Sequence, residues 1–101
     1  MSVLKVYIKI HSRSDIETVA CCDEHLLNQC FKEGDVKIDI SEHFFGGNLI
    51  ALDDAIEIIK GAQCFNIVGE NIISAAVINK ILPKDCARKI AGVPMAMKMM
   101  L

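Results

Sequence analysis

The stretch Asn66-Ile67-Val68-Gly69-Glu70 opens the longest apolar run of the chain, which continues to residue 82. A helix that is apolar over most of its circumference packs against several neighbours, because an exposed helix keeps a polar face. Pro83 ends the run, since proline cannot continue a helix. The sequence therefore predicts a central helix over residues 66–82, with Asn66 at its cap and Glu70 one turn further on.

Shorter patterns surround this run. Strict alternation over residues 4–10 and a β-rich run over 16–22 predict a hairpin, and alternation over 36–40 predicts a third strand. Asp23 is placed to cap a short helix through Leu26 and Leu27. A second helix is predicted over residues 53–62, with Asp54-x-x-Glu57 resembling a capping box. Residues 85–91 predict a final short strand, and an apolar, methionine-rich tail follows it.

Length and element order define the expected architecture. The chain has 101 residues, of which 52% are apolar and 24% charged, enough to bury a core of its own. We expect one domain over residues 1–101. The order of the elements predicts an α+β fold with a small, mainly antiparallel sheet and two longer helices packed on one face.

Charge and hydropathy disfavour several classes of protein. The net charge is −2 and the pI about 5.8, whereas a general nucleic-acid binder is usually basic. No apolar run reaches the about 18 residues of a membrane span, and the N-terminal residues lack the pattern of a signal peptide. We therefore expect a cytoplasmic protein without membrane contact. Its partner would be another protein or a second copy rather than nucleic acid, with RNA as the less favoured option.

Five short motifs follow one another along the chain. They are Cys22-Asp23-Glu24-x-Leu26-Leu27, Phe31-x-Glu33-Gly34, Phe45-Gly46-Gly47, Asn66-x-Val68-Gly69-Glu70 and Ala91-Gly92-Val93-Pro94. In this order they resemble the archaeal domain-of-unknown-function family numbered 424, over residues 4–96. The resemblance implies an archaeal source and a small single domain, without an established activity. At Met95-Ala96-Met97 the chain departs from the family pattern His-Ala-Gln, so a function of that histidine would be missing here.

The candidate binding surface combines a glycine loop with the start of the predicted helix. Backbone N–H groups at Gly46 and Gly47, or at the helix start, could meet an anion, although the standard nucleotide-binding loops are absent. A tight turn at the glycines, and a carboxylate that only favours the helix dipole, would explain the same residues structurally. The predicted ligand-binding residues are Gly46, Gly47, Asn66, Gly69, Glu70 and Pro94.

Cysteines and histidines allow two further interpretations. Cys22, His25 and Cys30, with Cys21 or His43 as a fourth ligand, contain zinc-ligand types, but their spacing does not match the paired patterns of zinc sites. Cys22 before a helix start could act as a nucleophile with His43 as its base. Cysteines used as small core residues are the favoured explanation of these positions. We therefore predict no metal site and no cofactor.

These observations favour a non-enzymatic binding or adaptor module, and a link to RNA or translation is a further hypothesis. The module would act through the Gly46-Gly47 loop, the start of the Asn66 helix and the Val93-Pro94 segment. The alternative is a small enzyme that uses Cys22, His43 or Glu70. That alternative requires titratable groups to meet in one pocket.

Overall fold

The computed structural model describes residues 4–85 and 87–99. The strands are β1 (Lys5–Arg13), β2 (Ile16–Asp23), β3 (Cys30–Glu33), β4 (Val36–Asp39), β5 (Asn48–Ala51), β6 (Cys64–Val68), β7 (Arg88–Ile90) and β8 (Val93–Lys98). The helices are α1 (Glu42–Phe45), α2 (Leu52–Lys60) and α3 (Glu70–Ile78), and a 3₁₀ turn covers Glu24–Leu26.

Within the described residues, six strands form the main sheet in the order β5-β1-β2-β6-β8-β7, while β3 and β4 form a separate hairpin. β2 and β6 are parallel, and the other neighbours in the main sheet are antiparallel. The predicted α+β fold with a mainly antiparallel sheet is therefore confirmed. No helix in the described part of the chain is long and apolar enough to cross a membrane.

Side chains of the central strands alternate between two core clusters in the described ranges. Val19 and Cys21 of β2 belong to the first cluster, which also contains buried residues of α2 and α3. Ala20 and Cys22 belong to the second, which contains residues of the 3₁₀ turn and α1. Because β2 is buried on both faces, its inner half reads as a continuous apolar run rather than an alternating one.

The prediction of one helix over residues 66–82 is wrong. Residues Cys64–Val68 form β6, and α3 begins only at Glu70 and ends at Ile78. β6 lies between β2 and β8, and both faces of the sheet are covered there, since Phe65 and Ile67 belong to the first core cluster and Val68 to the second. Its side chains are therefore mostly buried on either face. A short apolar run of this kind cannot be distinguished from a buried helix by its periodicity. Asn66 consequently lies in a strand and does not cap a helix.

Several shorter elements also differ from the prediction. The strand predicted over 36–40 pairs with the unpredicted β3 outside the main sheet. The segment between this predicted strand and the helix predicted over residues 53–62 contains α1 and β5, neither of which was predicted. Residues 95–98 of the predicted apolar tail belong to β8, which pairs with β6 and β7, whereas Met100 and Leu101 lie outside the described residues. These elements depend on partners far along the chain, which local patterns do not reveal.

The helix predicted over residues 53–62 is found as α2, but the two predicted helix caps are wrong. α2 begins at Leu52, and its N-cap is Ala51, so Asp54 lies inside the first turn and no capping box forms. The residues after Asp23 form only a short 3₁₀ turn, and the Asp23 side chain does not cap it.

Gly46 and Gly47 connect α1 to β5 at a point of close approach to β1. A Cβ atom at Gly47 would overlap the backbone carbonyl oxygen of Ile8. The preceding helix α1 is also held to β1, because Lys9 Nζ donates to the carbonyl oxygen of His43 at 2.7 Å. The glycine at position 47 is therefore explained by space, because a larger residue would push α1 away from the sheet.

We expect Gly47→Ala to lower the free energy of unfolding by about 1–3 kcal/mol, because the added methyl group meets rigid backbone. Urea denaturation followed by circular dichroism measures the change. The matched control is Gly61→Ala, whose Cβ would meet nothing closer than 3.9 Å and should change stability by less than about 0.5 kcal/mol. Equal stability of the two variants would contradict this account of the loop.

Candidate functional site

A pocket of about 430 Å³ lies where β2 ends and where α3 and β8 begin. Its polar lining comes from Asp23, His25, Gln29, Glu70 and Asn71. Its apolar wall comes from Leu26, Phe31, Val93 and Pro94, with Gly92 at the edge. Neither lysine nor arginine belongs to this lining, so the described pocket has an acidic character.

The buried carboxylate of Asp23 forms the base of the pocket. Asp23 is the last residue of β2 and is 0% exposed. Its Oδ2 accepts a hydrogen bond from the backbone N–H of Asn71 at 2.9 Å, and its Oδ1 accepts one from Ile72 at 3.0 Å. These N–H groups belong to the first turn of α3, where no intrahelical acceptor exists. Asp23, at the end of β2, therefore caps α3 although the two elements are far apart in the sequence.

Gly69 makes this contact sterically possible. It stands directly before α3 with φ +123°, a conformation that favours glycine. A Cβ atom at this position would overlap the carboxylate of Asp23. The Gly69 N–H donates to the carbonyl oxygen of Pro94 at 2.8 Å, which fixes β8 against the helix start. The same residue thus admits Asp23 on one side and anchors the apolar wall on the other.

Burial raises the pKa of Asp23 above its ordinary value of 3.8. The hydrogen bonds from Asn71 and Ile72 and the nearby His25 act in the opposite direction, while Glu70 adds to the increase. Desolvation is the largest of these effects, because a charged carboxylate loses its hydration in the interior.

Comparisons with known proteins identify the family. The model of the family described as Protein of unknown function (DUF424) matches residues 10–101. The chain belongs to the DUF424 family. Its fold is similar to the crystal structure of an uncharacterized conserved protein from Methanopyrus kandleri, with a TM-score of 0.80 and 28% sequence identity over 92% of this chain and 89% of that one. A search of the curated proteins returns no match.

Family membership confirms the resemblance drawn from the five motifs, and the structure shows where those motifs meet in this DUF424 chain. Asp23 and Leu26 come from the first motif, and Phe31 comes from the second. Glu70 belongs to the fourth, and the segment Gly92-Val93-Pro94 to the fifth. Four of the five motifs therefore supply residues to the pocket, although they are separated along the sequence.

The ligand-binding residues predicted from the sequence divide into two groups. Glu70 and Pro94 line the pocket, and Gly69 supports it. Gly46 and Gly47 lie in the loop between α1 and β5, away from the described lining. Asn66 lies within β6, paired with Ala20 and Met97, and does not form a helical pair with Glu70.

Asp23 was not predicted as a site residue, and neither was its contact with Asn71. The signal in the sequence was an acidic residue at the end of an apolar run, because a buried carboxylate needs hydrogen-bond partners. Asp23 was instead interpreted as the cap of the short helix predicted directly after it, and not as a cap of α3. The correct partner lies 48 residues further along the chain.

The residues of the enzyme alternative occupy different environments. Cys22 is 0% exposed in the second core cluster, and burial together with the Asp23 carboxylate raises the pKa of Cys22 to about 12. A thiol of this kind is not a ready nucleophile. His43 lies exposed on α1, and of the three residues only Glu70 lines the described pocket. Among the described residues, no group of three or more His, Cys, Asp or Glu side chains is arranged to hold a metal ion.

Asp23→Ala should lower the free energy of unfolding by about 2–3 kcal/mol, because two N–H groups at the start of α3 lose their acceptor. Urea denaturation provides the measurement. Asp39→Ala is the matched control, since Asp39 is exposed at the end of β4 and should change stability by less than about 0.5 kcal/mol. A loss no larger in Asp23→Ala than in Asp39→Ala would disprove the capping role.

The raised pKa of Asp23 gives stability a defined pH dependence. A carboxyl group with a raised pKa in the folded state binds its proton more tightly there, so its ionisation favours unfolding as the pH rises. Asn at this position does not titrate. The unfolding free energy of the natural protein minus that of Asp23→Asn should therefore fall from about pH 4 upward. Urea titrations of both proteins at several pH values test this, and an increase of the difference would show a lowered pKa instead.

Proposed function

We propose that this DUF424 chain is a non-enzymatic protein-binding module whose pocket receives a basic side chain from an apolar segment of a partner. One observation carries the proposal. The carboxylates of Asp23 and Glu70 stand beside a wall formed by Leu26, Phe31 and Val93. Lysine and arginine combine a charged head with an apolar stem, so each part of such a side chain would find a matching surface.

The two carboxylates would have different roles in this binding. Both oxygens of Asp23 already accept backbone hydrogen bonds, so Asp23 contributes mainly negative potential at the base of the pocket. Glu70 is exposed in the first turn of α3 and has no intramolecular ion pair among the described residues. Glu70 is therefore the group that would accept a direct hydrogen bond from the partner, with the amides of Gln29 and Asn71 nearby.

The acidic lining also bears on the hypothesis of a role close to RNA. Nucleic acids present phosphate groups, which two neighbouring carboxylates would repel. A link to RNA or translation would therefore run through a protein partner that supplies the basic side chain. The absence of lysine and arginine from the described lining supports this order of preference.

The proposal also includes a rigid support beneath the pocket. We infer that α2 and α3 pack on the same face of the main sheet. Ile56 of α2 and Ile72 of α3 share a core cluster with Val6, Val19 and Phe65. A helix seated in this way would hold Glu70 at a fixed position relative to β8, which lowers the entropy cost of binding.

The peptide Ac-Leu-Arg-Leu-NH₂ should bind the pocket weakly and shift the backbone amide resonances of Asn71, Val93 and their neighbours in the ¹⁵N-labelled protein. Glu70→Gln should weaken this binding by about two- to fivefold, the range expected for an exposed ion pair. Titrations followed by two-dimensional NMR give both the affinity and the location.

Two controls make this experiment decisive. Glu57→Gln removes a similar charge from α2 and should leave the affinity unchanged, since Glu57 pairs with Lys60 outside the pocket. Ac-Leu-Glu-Leu-NH₂ should not bind, because its carboxylate meets Asp23 and Glu70. The proposed function is rejected if the glutamate peptide binds as well as the arginine peptide, or if the shifted resonances lie elsewhere.

A further inference from the structure

A second concave surface lies between β4, β7 and β8 and has a volume of about 530 Å³. We call it the β4–β8 groove. Its apolar lining includes Val36 and Ile38 from β4, Ile90 from β7, and Met95 and Met97 from β8. The groove shares no residue with the acidic pocket.

The groove leaves apolar side chains accessible to solvent. Met97 is 57% exposed and Val36 is 36% exposed. Single exposed apolar residues are common, but several that line one concavity are typical of an interaction site. Methionine is especially suited to such a surface, since its unbranched side chain adapts to different partners.

The charged residues of the groove are both cationic. Lys37 and Arg88 line it, and the described lining contains no carboxylate. No described carboxylate lies within ion-pair distance of either side chain. Lys32 stands directly opposite Lys37 across the β3–β4 hairpin, an arrangement of like charges that disfavours the pairing. The rim of the groove therefore carries two cations that form no ion pair with a carboxylate of the described chain.

We propose that the β4–β8 groove docks an acidic, amphipathic segment of a partner protein, with apolar side chains on the groove floor and Asp or Glu side chains at Lys37 and Arg88. This inference goes beyond the proposed function, because it concerns a different surface and a partner segment of opposite charge. Charge complementarity identifies the occupant. The apolar floor favours apolar side chains of a partner. The two cations at its rim, which have no ion-pair partner in the described chain, favour carboxylates.

The lining favours a protein segment over a nucleic acid. Proteins that bind single-stranded nucleic acids combine a basic track with aromatic side chains on which bases stack. The described lining of the groove contains no aromatic residue, and its centre is aliphatic and methionine-rich. Two cations at the edge of such a surface fit carboxylates that flank apolar side chains.

A fluorescein-labelled peptide with the repeating pattern Leu-Glu-Ile-Glu serves as the probe, with fluorescence anisotropy as the readout. It should bind the natural protein, and its affinity should fall as the salt concentration rises. The double variant Lys37→Glu/Arg88→Glu should weaken binding by about tenfold or more. Lys37→Glu also places an opposite charge across from Lys32, so the hairpin should remain folded.

The matched control is Lys5→Glu/Arg13→Glu, which makes the same change of charge at two exposed positions of β1, a strand separated from β8 by β2 and β6. It should bind the probe as the natural protein does. Met97→Ser tests the apolar floor and should weaken binding, whereas the salt dependence should stay the same. Circular dichroism of each variant separates a loss of binding from a loss of folding.

Four outcomes would overturn the proposal. The first two are that the probe does not bind, or that it binds the double variant and the natural protein equally. The third is that a peptide with Lys in place of Glu binds with the same affinity. The fourth is that an oligouridine displaces the acidic peptide and binds more tightly, which would make the groove a nucleic-acid site. The arginine peptide used for the acidic pocket should bind the double variant unchanged, so a failure here is distinguishable from a failure there.

Discussion

The carboxylate of Asp23 joins the end of β2 to the start of α3, and the geometry of the pocket depends on that contact. A buried acid is costly unless its oxygens are hydrogen-bonded, and here two backbone N–H groups meet this requirement. The helix gains an acceptor for groups that would otherwise lack one. Gly69 leaves room for the contact and at the same time binds β8 through Pro94. Three elements from distant parts of the chain are thereby fixed around one side chain.

The sequence predicts those parts of the fold whose partners are close along the chain. β1 alternates strictly over residues 4–10 and is followed by a short polar turn and a β-rich run, so the local pattern is sufficient for the β1–β2 hairpin. β6 was predicted as part of a helix because a strand buried on both faces loses its alternation. Only part of the pocket could be predicted from the sequence, because its residues come from distant segments of the chain. Glu70, Gly69 and Pro94 stand out locally, whereas Asp23 acquires its role only from residues that follow 48 positions later.

Net charge conceals how charge is distributed over this molecule. The total of −2 is close to neutral, yet the pocket at α3 is acidic and the β4–β8 groove is basic. The β3–β4 hairpin separates them. Phe31 faces the pocket and its partner Ile38 lines the groove, so one pair of strands contributes to both surfaces. The surface of the protein therefore has regions of opposite charge. The proposed partners would be oriented by the electrostatic field of each region rather than by the net charge.

The parallel pairing of β2 with β6 also has a consequence for synthesis on the ribosome. The inner half of β2, from Val19 to Asp23, is buried throughout. Thr18 to Cys22 pair with β1 on one edge, and on the other edge they pair with residues 64–68. The β1–β2 hairpin therefore leaves the ribosome with one strand edge unpaired while α1, β5 and α2 are still being made. Open strand edges promote association between chains. A nascent chain of this protein would need protection until β6 emerges, and a fragment that ends before β6 would be prone to aggregate.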